Sequence, residues 1–74
     1  MTMTDSPNQI AKKLREAREA LGLSQQEVAA KLAKTQSYVS RCETGSRRLD
    51  IFELEAFARL YSKSLSDFLP SESE

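Results

Sequence analysis

Residues 24–43 read SQQEVAAKLAKTQSYVSRCE, two short helical patterns separated by a tight turn. The first begins with Ser24 and has Glu27 three residues later, which is the capping-box spacing that starts a helix. Apolar residues at helical spacing follow Ser24, and Thr35 can cap a second helix after the turn at residues 33–35. The stretch therefore predicts two helices, over about 25–32 and 36–43, that meet at a tight turn.

The second of these helices has one narrow apolar side and a larger polar one. Its polar positions carry side chains that can hydrogen-bond to base edges: Gln36, Ser37, Ser40 and Arg41. A glutamine can pair with adenine through a donor and an acceptor, and a guanidinium can hold O6 and N7 of guanine together. A helix also has the right width for the major groove. The pattern favours a helix-turn-helix. Taken alone, Gln36 and Arg41 fit two solvated surface residues better than base contacts, and the two serines either contact bases or only allow a close approach.

The rest of the chain predicts three further helical segments and no strand. A helix over about 8–21 ends at Gly22, and one over about 51–61 is capped by Asp50; a short helical turn begins at Ser64. The predicted buried positions are Ile10, Leu14, Ala17 and Leu21 in the first helix, and Ile51, Leu54, Phe57, Ala58 and Tyr61 in the later one. This predicts an all-α bundle of five helices over residues 8–69, between a flexible arm (1–7) and a disordered acidic tail (70–74).

Composition excludes several classes of protein. The chain has 74 residues, no histidine and one cysteine, which is enough for one small domain but not for an internal disulfide or a usual zinc site. No apolar run is long enough to span a membrane and the N-terminus has no signal pattern, so we expect a cytoplasmic protein. The sequence has no nucleophile–base pair and no glycine-rich phosphate loop, so we expect neither an enzyme nor a cofactor. Glu53 and Glu55 are interpreted as solvated surface residues.

The net charge is zero, but the charges are segregated along the chain. Residues 31–48 hold five basic side chains and one acidic one, whereas residues 49–74 hold two basic and six acidic ones. The positive segment coincides with the predicted base-reading helix. This distribution favours contact with a phosphate backbone more than a uniformly solvated surface does.

The helix over about 51–61 carries an apolar stripe on the side away from its core residues. The stripe consists of Phe52, Ala56 and Leu60, at spacings of four residues. Such a stripe indicates an interface, and we expect a homodimer that uses these residues, Leu49 and the 65–69 turn. A dimer would place two reading helices on a palindromic site. The alternative is a monomer with a few exposed apolar residues.

The chain resembles the lambda-repressor-like, or XRE-type, helix-turn-helix family over about residues 9–69. The resemblance is carried by Leu21-Gly22-Leu23-Ser24-Gln25, Thr35-Gln36-Ser37-Tyr38-Val39-Ser40-Arg41, Glu43-Thr44-Gly45, Arg47-Arg48 and Ser64-Leu65-Ser66-Asp67-Phe68. Ala33 departs from the family, which often has glycine at this turn; a positive φ there would strain alanine by about 1 kcal/mol.

The resemblance also implies roles for individual residues, and it favours base contact by Gln36 and Arg41 over a solvated surface. It implies an ion pair between Arg18 and Glu43 that joins the first helix to the end of the third. It implies that Gln25 binds a phosphate and braces Gln36. Further phosphate contacts are expected from Lys34, Tyr38, Thr44, Arg47 and Arg48, although Tyr38 is equally compatible with packing against the second helix.

The function expected from these observations is sequence-specific transcriptional regulation, most simply repression, with double-stranded DNA as the partner. A second hypothesis is a protein-interaction module of the same fold, such as an antitoxin-like binder acting through the acidic C-terminal third. A protein partner, such as a toxin or another regulator, stays open. Cys42 is interpreted as a core residue, with a redox switch as the alternative.

Overall fold

The computed structural model describes residues 6–69, with side chains from residue 9 onward. Four α-helices follow one another along the chain: α1 Ser6–Ala20, α2 Gln25–Leu32, α3 Gln36–Thr44 and α4 Ile51–Leu60. A 3-10 turn, Leu65–Asp67, completes this part. Residues 6–69 contain no strand, so the described chain is all-α, as predicted.

The predicted count of five helices is not confirmed, because four α-helices are present and the last predicted segment is a single 3-10 turn. Asp67 N–H donates to the Ser64 carbonyl at 3.0 Å and Phe68 N–H to the Leu65 carbonyl at 3.1 Å, both i→i+3 bonds. The Ser64 N–H also donates to the Asp67 carboxylate at 2.9 Å. Pro70 follows soon after in the sequence, and proline disfavours a helical conformation in the residue before it, so few residues are available for an α-helix.

The first helix begins earlier than predicted. Ser6 and Pro7 belong to α1, although both fell within the predicted flexible arm. Proline is tolerated in a first helical turn because its missing N–H would have no intrahelical partner there. The rest of the predicted arm, residues 1–5, and the predicted tail at 70–74 lie outside the described residues.

The predicted caps of α2 and α3 are present. Glu27 N–H donates to Ser24 Oγ at 3.0 Å and the Ser24 N–H donates to the Glu27 carboxylate at 2.8 Å, which completes a capping box. Tyr38 N–H donates to Thr35 Oγ1 at 3.1 Å. Between them, Ala33 ends α2 in the left-handed conformation, with φ 59°. The strain anticipated for alanine at this turn is therefore present.

The core joins all the elements around Phe57. Its fully buried side chains come from α1, α2, α3, α4 and the segment after the 3-10 turn: Leu14, Val28, Val39, Cys42, Phe57 and Phe68. Two predicted core residues are instead exposed: Leu21 by 54% and Ile51 by 57%. Leu21 lies beyond the end of α1 and Ile51 is the first residue of α4, so helical spacing does not bring either into the core. Ala11, which was not predicted, is buried.

Candidate nucleic-acid interface

The third helix is held by its apolar side and exposes its polar side. Val39, Cys42 and Glu43 are buried, whereas Gln36, Ser37 and Arg41 are exposed. Ser40 is half-buried, so it is the least accessible of the four predicted base-contacting residues. Gly45 ends the helix with φ 82°. The result is a short helix whose outward side chains are polar and whose rotation is fixed by the core.

A hydrogen-bonded chain connects this helix to α1 and α2. Arg18 donates to both oxygens of Glu43, from Nε at 2.7 Å and from Nη2 at 3.1 Å. Gln25 Nε2 donates to the same carboxylate at 3.1 Å, and Gln36 Nε2 donates to Gln25 Oε1 at 3.2 Å. The buried ion pair therefore fixes Glu43, which in turn holds Gln25. Gln25 then orients Gln36, a predicted base-contacting residue.

The ion pair at the base of this chain is enclosed by the protein. The Glu43 side chain is 1% exposed and that of Arg18 is 12% exposed. Arg18 Nη1 also donates to the Leu23 carbonyl at 2.8 Å. The hydrogen bonds to Glu43 raise the pKa of Arg18 above its ordinary value, against the opposing effect of burial. The residues lie together as the resemblance implied, and the pair fixes α1 against the C-terminal end of α3.

Tyr38 packs against α4. Its ring stacks on Phe57 with centroids 6.3 Å apart and planes 8° from parallel. The hydroxyl donates to the Glu53 carboxylate at 3.4 Å, and burial raises the pKa of Tyr38 to about 12. The sequence had left phosphate contact and packing against α2 as equal interpretations for Tyr38, and neither included α4, because a period-3.6 pattern cannot show which helix a side chain reaches.

The Tyr38 ring organises two of the predicted phosphate-contacting cations. Lys34 Nζ lies 5.1 Å from the ring centroid and the Arg47 guanidinium carbon lies 5.0 Å from it, both within cation–π range. Arg47 also forms a salt bridge with Glu53. Of the other predicted phosphate contacts, Thr44 is exposed and donates to the Arg41 carbonyl at 3.2 Å, and Arg48 is exposed.

Glu53 is the residue of this region that the sequence analysis missed. One carboxylate oxygen accepts the Asp50 N–H at 3.0 Å and completes a capping box at the start of α4. The other oxygen accepts from Tyr38 and Arg47. The Asp50-x-x-Glu53 spacing signalled the first role. Nothing in the sequence signalled the second, which depends on the path of the loop before α4.

The predicted dimer residues fall into two groups. Phe52 is 77% exposed, and Ala56 is exposed one turn further along α4. Leu49 and Leu60 are partly buried and pack against the core. Beside Phe52 lies an open cavity of about 250 Å³, lined also by Leu32, Lys34, Tyr38, Asp50, Glu53 and Ala56. None of the helices described here is long and apolar enough to cross a membrane.

A helix-turn-helix family model matches residues 14–68, which includes α2, the turn and α3. The chain belongs to the XRE, or lambda-repressor-like, helix-turn-helix family. The family is one of DNA-binding transcription regulators. No curated protein sequence matches the chain significantly.

Two solved structures of DNA-associated proteins are similar to the whole domain. The DNA-binding domain of BldD from S. venezulae is 28% identical, with a TM-score of 0.81 over 90% of this chain and 100% of that one. The restriction-modification controller protein C.AhdI from Aeromonas hydrophila is 27% identical, with a TM-score of 0.79 over 85% of this chain and 96% of that one.

An enzyme contains the same fold as one part of a longer chain. Hydroxypropylphosphonic acid epoxidase from S. wedmorenis is 22% identical, with a TM-score of 0.82 over 90% of this chain. This chain spans only 36% of the length of that enzyme. At this identity the likeness concerns the fold alone and carries no activity to this protein.

Proposed function

We propose that this protein is a site-specific transcriptional repressor that binds a palindromic operator as a homodimer, with α3 in the major groove. Repression would be steric, by occupation of a promoter. The observation that carries the proposal is the braced position of Gln36, whose amide is held by Gln25 at 3.2 Å beside the exposed Ser37 and Arg41. A side chain that is ordered before binding loses less entropy on contact with a base.

The likeness to BldD and C.AhdI supports the same proposal. The first is described as a DNA-binding domain and the second as a restriction-modification controller protein. Both are covered almost completely by this chain. A protein of this fold with a neutral net charge needs its basic residues close to the reading helix, and the five basic residues within 31–48 meet that need.

The dimer part of the proposal rests on α4. Phe52 is 77% exposed and Ile51 57% exposed, and Ala56 extends the same apolar area. A second copy that covers these side chains would remove them from water and would supply the second reading helix of a palindromic site. We expect Phe52→Glu to sediment as a folded monomer, with a melting temperature lowered only by the loss of stabilisation from the second copy. A variant that sediments like the unmodified protein would contradict the proposed interface.

The DNA part is tested by selecting random duplex DNA on the purified protein at two salt concentrations. We expect a palindrome with two short half-sites. Gln36→Ala and Arg41→Ala should each lose preference at one base position, worth about 1–3 kcal/mol per bidentate contact. Gln9→Ala and Arg15→Ala are matched controls, because both side chains are exposed on α1. Recovery of no motif, with binding that disappears at moderate salt, would favour the protein-interaction module instead.

A further inference from the structure

The loop after α3 contains a cation that is already paired with an acid from α4. Arg47 forms a salt bridge with Glu53, and the same Glu53 oxygen accepts from the Tyr38 hydroxyl at 3.4 Å. The Arg47 guanidinium carbon lies 5.0 Å from the Tyr38 centroid. Three side chains from three different segments thus converge beside the DNA-reading helix.

We propose that Glu53 is a built-in competitor of DNA phosphate for Arg47 and thereby limits the affinity of the protein for DNA. The inference rests on the proposed function, because it requires a DNA backbone as the partner of Arg47. The Glu53 carboxylate occupies the position that a phosphate oxygen would take on the guanidinium. DNA binding then exchanges one anion for another instead of gaining a new contact.

The exposure of the two side chains indicates that Glu53 competes with phosphate for Arg47 and does not only hold Arg47 in place. The Arg47 side chain is 40% exposed, so phosphate can approach it, whereas the Glu53 side chain is 20% exposed and fixed by the Asp50 N–H. The anion is therefore held by the fold, and Arg47 can exchange its partner. The Tyr38 ring would keep the guanidinium beside α3 after release from Glu53, because cation–π attraction does not need the carboxylate.

Glu53→Gln tests the inference with little disturbance of the fold. Glutamine keeps an oxygen that can accept the Asp50 N–H, since capping boxes use glutamate or glutamine at this position. The substitution removes the negative charge beside Arg47 and replaces the oxygen that accepts from Arg47 and Tyr38 with an amide NH2, which accepts from neither. Glu55→Gln is the matched control, because it removes one acidic charge from the same helix, where Glu55 pairs with Arg59 and not with Arg47.

Binding is measured by fluorescence anisotropy on a labelled mixed-sequence duplex of about two helical turns, at several KCl concentrations. We expect Glu53→Gln to bind roughly two- to fivefold more tightly than the unmodified protein, as for the loss of an exposed ion pair. The slope of log affinity against log salt should steepen by at most about 0.9, the value for one phosphate contact, because the unmodified protein must break an ion pair to make that contact. Glu55→Gln should change neither quantity beyond its long-range charge effect.

The Arg47→Ala background shows whether Glu53 acts through Arg47. If it does, Glu53→Gln in the Arg47→Ala background changes the affinity and the salt slope no more than Glu55→Gln does. An equal gain in both backgrounds, or a gain no larger than that of Glu55→Gln, overturns the inference and leaves the proposed function intact. An unmodified protein that does not bind the duplex at low salt overturns both.

Discussion

Removal of the Glu43 carboxylate should be the most damaging single change outside the apolar core. The Arg18 side chain is 12% exposed in the unmodified protein. Glu43→Ala leaves it with the Leu23 carbonyl and a 3.8 Å ion pair to Glu19, and it deprives Gln25 of its acceptor. Breaking a buried pair by deleting one partner costs roughly 3–5 kcal/mol, because the other charge stays desolvated. A domain of this size has a total stability on the order of 5–10 kcal/mol.

The assay is thermal unfolding followed by circular dichroism at neutral pH. One kcal/mol corresponds to a shift of about 4–8 °C in a small domain, so we expect the Glu43→Ala melting temperature to fall by at least about 12 °C. Glu55→Ala is the control, since it removes a carboxylate that is 52% exposed in a surface pair with Arg59. That change should cost about 0.5 kcal/mol or less.

A double variant tests the physical reasoning separately from the magnitude. Arg18→Met with Glu43→Leu removes both charges together, so that neither is left buried without a partner. Replacing a buried ion pair by apolar residues is often neutral or stabilising, so the double variant should recover most of the stability that Glu43→Ala loses. If Glu43→Ala melts like Glu55→Ala, or if the double variant is no more stable than Glu43→Ala, the argument from desolvation is refuted.

Backbone conformation and pKa shifts lead to three further predictions. Ala33→Gly should stabilise the protein by about 1 kcal/mol, seen as a higher urea midpoint with an unchanged slope, because φ is 59° there. Burial raises the pKa of Tyr38 to about 12 and also raises the pKa of Tyr61. Absorbance at alkaline pH should therefore show both phenols still protonated near pH 11. The free energy of unfolding should fall above about pH 10, because there the tyrosines of the unfolded chain ionise before those of the folded chain. Hydrogen bonds from Ser64 hold the pKa of Asp67 below its ordinary value, so Asp67→Asn should destabilise the protein at neutral pH, and the deficit should shrink as acidification protonates Asp67 in the native state.

Local signals were sufficient to predict the caps, and helical spacing was sufficient to predict most of the core. Ser24, Thr35 and Asp50 each cap the helix that the sequence assigned to them. Leu21 and Ile51 were wrongly assigned to the core, because helical periodicity shows which residues lie on one side of a helix but not where the helix ends relative to the core. A single residue beyond the end of α1 was enough to expose Leu21.

The contacts of the candidate site depend on how the helices pack, which the sequence alone does not specify. Arg18 and Glu43 are 25 residues apart, and only the family resemblance connected them. The stack of Tyr38 on Phe57 and the pairing of Arg47 with Glu53 were not predicted at all. The first contact depends on the approach of α4 to α3 and the second on the path of the loop between them, so each becomes visible only in the folded structure.

The same placement changes the meaning of the charge distribution. Counted along the sequence, the boundary between residues 48 and 49 separates a basic segment from an acidic one. In space, the loop before α4 brings Glu53 back to Arg47, so one acid of the second segment neutralises part of the first. The segregated charges therefore overstate the positive field that DNA would meet. If Glu53 were charged but turned away from Arg47, its replacement by glutamine would change the affinity for DNA only through long-range charge, as expected for Glu55→Gln. The difference in DNA affinity between these two variants therefore measures how much positive charge near α3 is neutralised by the packing of Glu53 against Arg47.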